Sequence, residues 1–510
     1  MPDVDTRISR EETEAAVAAH MAQYRQAREY VERHVLARAT SVDGVRFTFQ
    51  ASLHDLTLKR GGYALLELGS RTWLGQVTDV RVETQIADNS GPSGGPDIRV
   101  SAAAGDGIVL DPVGVPFHGA LAREATQDEV RTWASSERRR AGLIVGELRL
   151  APGVPATLDS GGLARHTFMC GQSGSGKTYS LGVLLERVLA ETSLRIVILD
   201  PNSDYVGLTD VREDADPDLA RRYDRVRAEI AVWRDDPSAD HPLRLQFGDL
   251  GSAAQAAVMG LHPVEDRDEY AVLADLLRNR KQGVPLVTGP DQLLTSELPG
   301  ARQLGIRASN LGVLDWRIWS GGKFPSLIDE IRHPTARCTI VDTGSLDDPQ
   351  QQRLISLAVL ETLWGARAAH EPCLVVVDEA HNVCPAAPTD AVTRLSTDTT
   401  VTIAAEGRKY GLYLLVSTQQ PHKVHENVVS QCDNLLLMRM NSSADLEDLG
   451  GLFSFVEPGL IAGATSFGMG EALVAGKVMP QPAYVRMGAR LTREGGADIP
   501  MTWAIPRPVD

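Results

Sequence analysis

Gly171-Gln172-Ser173-Gly174-Ser175-Gly176-Lys177-Thr178 satisfies the pattern GxxxxGK-Ser/Thr at every fixed position. The chemistry of triphosphate binding explains the residue types. Glycines let successive backbone N–H groups turn toward phosphate oxygens with no Cβ in the way. A helix opening after the loop adds partial positive charge at the same point. Lys177 can reach the β- and γ-phosphates of ATP, and the Thr178 hydroxyl can ligate Mg2+. Gly171, Ser173, Gly174, Ser175, Gly176, Lys177, Thr178 and Tyr179 are therefore the nucleotide-binding candidates. Downstream, Leu374-Val375-Val376-Val377-Asp378-Glu379 ends an apolar run on two carboxylates. Asp378 would hold Mg2+ through water, and Glu379 would orient and activate the attacking water. An acidic pair on a buried strand end is otherwise hard to justify. Thr178 and Asp378 are the metal candidates, and Glu379 is the candidate catalytic base.

Asp378-Glu379-Ala380-His381 also spells the signature of two-lobed DEAH helicases. That reading fails. Lys177 and Asp378 stand 201 residues apart, far wider than such helicases show. Two strand candidates intervene, and no second lobe with its own arginine motif follows. His381 and His422 read as structural rather than catalytic.

These groups need a scaffold that brings strand ends together. The apolar run Thr167–Cys170 precedes the glycine loop, and the helix-like stretch Tyr179–Leu189 follows it. Strands are expected at His166–Cys170, Arg195–Leu199, Leu243–Phe247, Cys338–Val341, Leu374–Val377, Leu412–Ser417 and Leu435–Met440. Most are apolar nearly throughout, as strands buried on both faces of a parallel sheet are; Leu243–Phe247 alternates instead. Helices are expected at Ala215–Trp233 and Glu269–Lys281, within an insert over about 206–335. Arg278, Arg280 and Lys281 form a small basic cluster there, read as solvated before it is read as facing nucleic acid.

Ahead of this α/β region the character changes. Val45–Phe49, Tyr63–Leu68 and Thr72–Val77 look like strands joined by glycine-bearing turns, the spacing of a small β-barrel. Asp88–Asp97 reads as a surface loop. A helix is expected from about Asp128 to Arg140, with Thr126 and Glu129 as a capping box and Arg138-Arg139-Arg140 at its solvated end. The first 40 residues read as one amphipathic helix with Val17, Met21, Tyr24, Val31 and Val35 on a stripe. That stripe either packs on its own domain or docks a partner. The expected organisation is thus a helix over 1–40, a barrel with its helix over 41–142, an ATPase domain over 143–490 and a tail over 491–510.

Composition narrows the function classes. Of 510 residues, 43% are hydrophobic and 23% charged, which excludes a disordered or collagen-like chain. A net charge of −16 argues against coating nucleic acid with the whole surface, though not against a basic channel. None of the five cysteines is spaced as CxxC, so neither a zinc site nor a disulfide framework is expected. They read as small buried hydrophobes in a reducing compartment. No apolar run approaches the ~18 residues of a membrane span. The start, MPDVDTRISREE, lacks the order of a secretion signal, and the expected location is cytoplasmic. No nuclease constellation is visible.

Several stretches, in this order, resemble the HerA-like branch of the FtsK–HerA superfamily of hexameric DNA-pumping ATPases. They are Arg165-His166 before the glycine loop, Asp200-Pro201-Asn202-Ser203-Asp204-Tyr205, Val341-Asp342-Thr343-Gly344-Ser345-Leu346, Glu406-Gly407-Arg408-Lys409-Tyr410-Gly411, Ser417-Thr418-Gln419-Gln420-Pro421 and Val429–Asn434. The resemblance spans about residues 40–490. It implies a RecA-like P-loop core with a mainly parallel sheet and helical insert, behind an N-terminal β-barrel. It implies that Gln419 senses the γ-phosphate. It implies that Arg408 reaches a neighbouring subunit's site as an arginine finger, with Arg165 as a second catalytic arginine. Asp204 stands where relatives often carry a glutamate, which leaves its role open. The resemblance further implies ATP and Mg2+, a homohexamer, duplex DNA in the pore, and a separate effector. That effector is a nuclease or, in antiphage systems, a sirtuin-like NAD-consuming enzyme. Two other readings are weighed. A hexameric scaffold would use ATP to assemble an effector without pumping DNA. A conjugative-transfer or secretion ATPase shares the core, but the barrel and the missing membrane segment count against it.

Overall fold

Six strands with inward-facing apolar residues close into a barrel: β1 (Arg38–Ser41), β2 (Arg46–Ala51), β3 (Tyr63–Leu68), β4 (Arg71–Ala87), β5 (Ile98–Val109) and β6 (Phe117–Glu124), in the order β1-β2-β5-β4-β3-β6. The computed structural model describes residues 17–19, 21–22, 37–54, 56–87, 98–136, 141–280, 290–297 and 300–496, with backbone alone at 85–87, 98–100, 276–280 and 290. Alternation is clearest in β2, where Phe47, Phe49 and Ala51 are buried and their neighbours exposed. With Leu66, Val77, Val109 and Phe117 they form the barrel's core. Sequence reading names three of the six strands. It misses β5 partly because Gly105 and Gly107 break the apolar pattern. They stand opposite Phe49 and Phe47, and a Cβ on either would drive into the facing ring. The helix Gln127–Ser136 follows, and its capping box forms: Thr126 N–H donates to Glu129 Oε2 at 2.8 Å, and Glu129 N–H to Thr126 Oγ1 at 3.3 Å. One expectation is corrected here. Arg38–Ser41 is a barrel strand and not the end of an N-terminal helix, because it pairs with β2 and β6. Most of the 1–40 stripe, the loop 88–97 and Arg138–Arg140 lie outside the described residues.

The chain folds as two compact units, this one (residues up to Glu137, with Leu150–Val154 and Glu457–Gly463) and a second that holds the glycine loop. The second unit is built on a twelve-stranded sheet. Its strands are β7 (Gly142–Leu148), β8 (Pro155–Asp159), β9 (His166–Cys170), β10 (Arg195–Asp200), β11 (Ile230–Arg234), β12 (His241–Pro242), β13 (Cys338–Asp342), β14 (Cys373–Val377), β15 (Leu412–Thr418), β16 (Cys432–Met438), β17 (Glu471–Gly476) and β18 (Ala483–Met487). They run in the order β12-β11-β13-β10-β14-β15-β9-β16-β17-β18-β7-β8. Pairing is parallel from β12 to β16 and antiparallel beyond. The continuous apolar runs are the central strands: every residue of β9, β13 and β14 is buried.

The insert departs from expectation. Ala215–Trp233 is not one helix. Asp216 caps a short helix, Pro217–Tyr223, and the run Ile230-Ala231-Val232-Trp233 becomes β11. Its β-branched and aromatic residues pair with β13, and sheet pairing outweighs local helix propensity. Leu243–Phe247 makes a single bridge, Leu245 to Trp319, and is not a strand; its alternation serves a buried extended segment. The helix Arg267–Arg280 matches expectation, while the side chains of Arg278 and Arg280, and Lys281, lie outside the described residues. All five cysteines are buried and free. Among the described residues no helix is long and apolar enough to cross a membrane.

The start of the expected tail is also corrected. Arg490 is fully buried and pairs with Glu186 on the helix Lys177–Glu191 at 3.5 Å. Glu186 also accepts the N–H groups of Leu491 (2.8 Å) and Thr492 (2.9 Å). Gly182 makes room: a Cβ there would lie 2.6 Å from the Arg490 guanidinium carbon. Leu491–Gly496 is therefore a strap on its own chain, held by Glu186 of the phosphate-loop helix at its start and by the carbonyls of Asp210 and Asp204 at Arg493 and Gly495. Residues 497–510 lie outside the described residues.

Candidate functional site

The glycine loop, the acidic pair and Gln419 each follow the carboxyl end of a parallel strand. The glycine loop follows β9, Asp378 and Glu379 follow β14, and Gln419 follows β15. Gly174 (φ 71°) and Gly176 (φ 86°) take left-handed backbone conformations that a side chain would oppose. Ser175 Oγ is buried inside the loop with no hydrogen-bond partner. A cavity of about 630 Å3 opens above, lined by Ser173, Gly174, Lys177, Thr178, Tyr179 and Gln419 among others. A loop of glycine backbone at a helix start, with an unused buried hydroxyl, fits a triphosphate.

Lys177 is the hub. Its Nζ lies 2.7 Å from Asp378 Oδ1, 3.0 Å from Ser417 Oγ and 3.2 Å from Glu379 Oε1. Burial works against the ammonium charge, but Asp378 and Glu379 outweigh it and raise the Lys177 pKa. Asp378, fully buried, also accepts from Tyr205 OH at 3.1 Å. Glu379 sits at φ 42°, a strained conformation for a non-glycine residue. Gln419 Nε2 donates to Glu379 Oε1 at 2.8 Å. His381 Nδ1 lies 3.3 Å from Glu379 Oε2 and 3.2 Å from Thr418 Oγ1; burial lowers its pKa. Lys177→Ala would leave two buried carboxylates without their cation. We expect a loss of about 3 kcal/mol in urea unfolding, and an unchanged midpoint would disprove the pairing's weight.

Asp204 lines the same cavity. Burial, with Asp378 adding to it, raises its carboxyl to about 6. A carboxyl raised on folding holds its proton in the native chain while the unfolded chain has lost it. Its contribution to stability therefore falls as pH rises from about 4 to 6, and the penalty persists above. Asp204→Asn should match the parent near pH 4. Above pH 6 it should be more stable by about 1 kcal/mol, after allowance for solvent screening. Equal urea midpoints at pH 8 would show that Asp204 carries no such penalty.

The two arginines lie elsewhere. Arg165 precedes β9 and Arg408 precedes β15, at the amino ends of these strands. Five strand residues put them roughly 17 Å from their own glycine loop. There both meet one carboxylate: Asp433 Oδ2 lies 2.6 Å from Arg408 Nη1 and 3.4 Å from Arg165 Nη1. Beside them His166 is held down to about 4, by burial first and then by Arg408. Thus Lys177, Thr178, Asp378, Glu379 and Gln419 come together, while Arg165 and Arg408 form a separate cluster.

Sequence reading misses Tyr205 and Ser417 as partners within the site, although both fall in stretches singled out for their resemblance. It also misses a wall of the cavity made by Met469-Gly470, Met487–Ala489 and Glu494–Gly496. No local pattern marks that wall. Tyr179, a nucleotide-binding candidate, lines the cavity while its OH accepts the Arg490 N–H at 2.8 Å, which ties the wall to the loop.

Residues 143–298 match the family profile described as helicase HerA, central domain. The DNA double-strand break repair helicase HerA of Pyrococcus furiosus is 23% identical over 400 residues, covering 68% of this chain and 69% of that protein. The protein of the same name from Saccharolobus solfataricus is 23% identical over 389 residues, covering 73% of each. Among solved structures, VirB4 of Thermoanaerobacter pseudethanolicus aligns at 17% identity with a TM-score of 0.46, over 69% of this chain and 98% of that one.

Proposed function

We propose that this P-loop ATPase, similar to HerA helicases over most of its length, assembles as a homohexameric ring. In this reading the ring translocates duplex DNA through its pore and works with a separate effector. One observation carries the ring: the groups for hydrolysis sit at both ends of the same strands. Lys177, Asp378 and Glu379 lie at one end, and Arg165 and Arg408 stand roughly 17 Å away at the other. A subunit's arginines are out of reach of its own triphosphate and suited to another's. Duplex DNA as substrate is supported by the names of the relatives, which act in double-strand break repair. Net charge −16 then confines phosphate contacts to a few pore loops, sequence-independent and salt-sensitive.

In this reading the loop amides and Lys177 hold the β- and γ-phosphates. Thr178 would ligate Mg2+ directly and Asp378 through water, where the ion neutralises phosphate charge. Glu379 takes the proton of the attacking water, Gln419 contacts the γ-phosphate, and Arg408 with Arg165 stabilises the transition-state charge from the adjacent subunit. The effector is a nuclease or a sirtuin-like NAD-consuming enzyme, and antiphage defence is the setting; both rest on resemblance alone.

The test is steady-state ATP turnover with and without long duplex DNA, beside Glu379→Gln. Stimulation by DNA that the variant abolishes supports the motor. Turnover indifferent to DNA would sink DNA pumping and favour an ATP-driven scaffold for the effector.

A further inference from the structure

Three neighbouring parallel strands, in the order β15-β9-β16, begin on the same side of the sheet. Each delivers one charged residue there. Arg408 lies in the turn before β15, Arg165 immediately before β9, and Asp433 is the second residue of β16. Both guanidiniums direct an Nη1 to the same Asp433 oxygen. Two cations would otherwise repel each other and sample many rotamers, since arginine has the most side-chain freedom to lose. One carboxylate between them gathers both at a single point.

We propose that Asp433 is a positioning residue that presents Arg165 and Arg408 together to the triphosphate of a second copy of this chain. The inference rests on the reading of those arginines as acting in trans. All three side chains are 37–46% exposed, so the pairing is solvent-screened and weak. A triphosphate carries more charge than one carboxylate and can take the guanidiniums over at little cost. What Asp433 supplies is pre-organisation: the cations arrive already paired and aimed, and less freedom is lost at the transition state. The net charge of the trio stays +1, which still attracts an anion.

The exposure also means that substitution at Asp433 leaves the core untouched. Full-length Asp433→Asn is expected to form rings of the parent's size, by sedimentation, and to keep the parent's KM for ATP. Its kcat should fall about tenfold. Asp433→Glu, which keeps the charge and shifts it by one methylene, should recover to within about threefold of the parent. If the Asn variant does not assemble, Asp433→Ser repeats the comparison. Arg408→Ala runs beside them. An unchanged kcat in Asp433→Asn with Arg408→Ala inactive overturns the role of Asp433 and leaves the finger standing. Equal losses in the Asn and Glu variants also overturn it, since charge would not matter. A fully active Arg408→Ala removes the finger, and this inference with it.

Discussion

Glu379→Gln is expected to bind ATP as the parent does and to turn it over about a thousandfold more slowly. The size of the loss follows from what a positioned base contributes, roughly 10²–10⁴ in rate. The substitution keeps the shape of the side chain, and its amide oxygen can still accept from Gln419, whose Nε2 lies 2.8 Å from Glu379 Oε1. The capacity to take a proton is removed, together with the negative charge 3.2 Å from Lys177 Nζ, while Asp378 still pairs with that ammonium. Two groups proposed to meet the γ-phosphate, Lys177 and Gln419, both rest on this carboxylate, at 3.2 and 2.8 Å. On the proposed roles, turning to phosphate would release Glu379 for water, so that base and substrate would become available together. Single-turnover hydrolysis measured beside equilibrium binding of a fluorescent ATP analogue separates the two steps. Substantial turnover in the variant would move the base to another group facing the cavity, with Asp204 the first to be tested.

Arg408→Ala is expected to leave ATP affinity and ring size unchanged and to lower turnover about a thousandfold, the scale of a missing arginine finger. The guanidinium lies beyond the length of β9 from its own glycine loop, so the loss must arise in a neighbour's site. Mixing decides this. Subunits carrying Arg408→Ala keep a sound Glu379, and subunits carrying Glu379→Gln keep a sound Arg408. Mixed rings should therefore hydrolyse ATP faster than either variant alone. No recovery on mixing would mean that Arg408 acts within its own subunit or only through folding. Its surroundings disfavour the second outcome: the side chain is 37% exposed and its ion pair is with an exposed aspartate.

What the sequence by itself determined is local. The glycine loop is eight consecutive residues whose backbone conformation is written in their types, so Gly171–Thr178 was legible without a fold. Asp378 and Glu379 were legible because a buried strand has no other use for two terminal carboxylates. The parallel sheet showed in runs such as Leu374–Val377, apolar on both faces. Only the tertiary structure decided the rest, because strand order is not sequence order. It set β9 between β15 and β16, and so brought Arg165 to a carboxylate 268 residues away. It turned Ile230–Trp233 from an expected helix into a strand between β12 and β13, since pairing with β13 supplies what local propensity does not. It laid Leu491–Gly496 along the cavity through Glu186, 305 residues upstream of Leu491. Residues that far apart leave no periodic trace, because their contact is fixed by packing and buried charge rather than by backbone geometry.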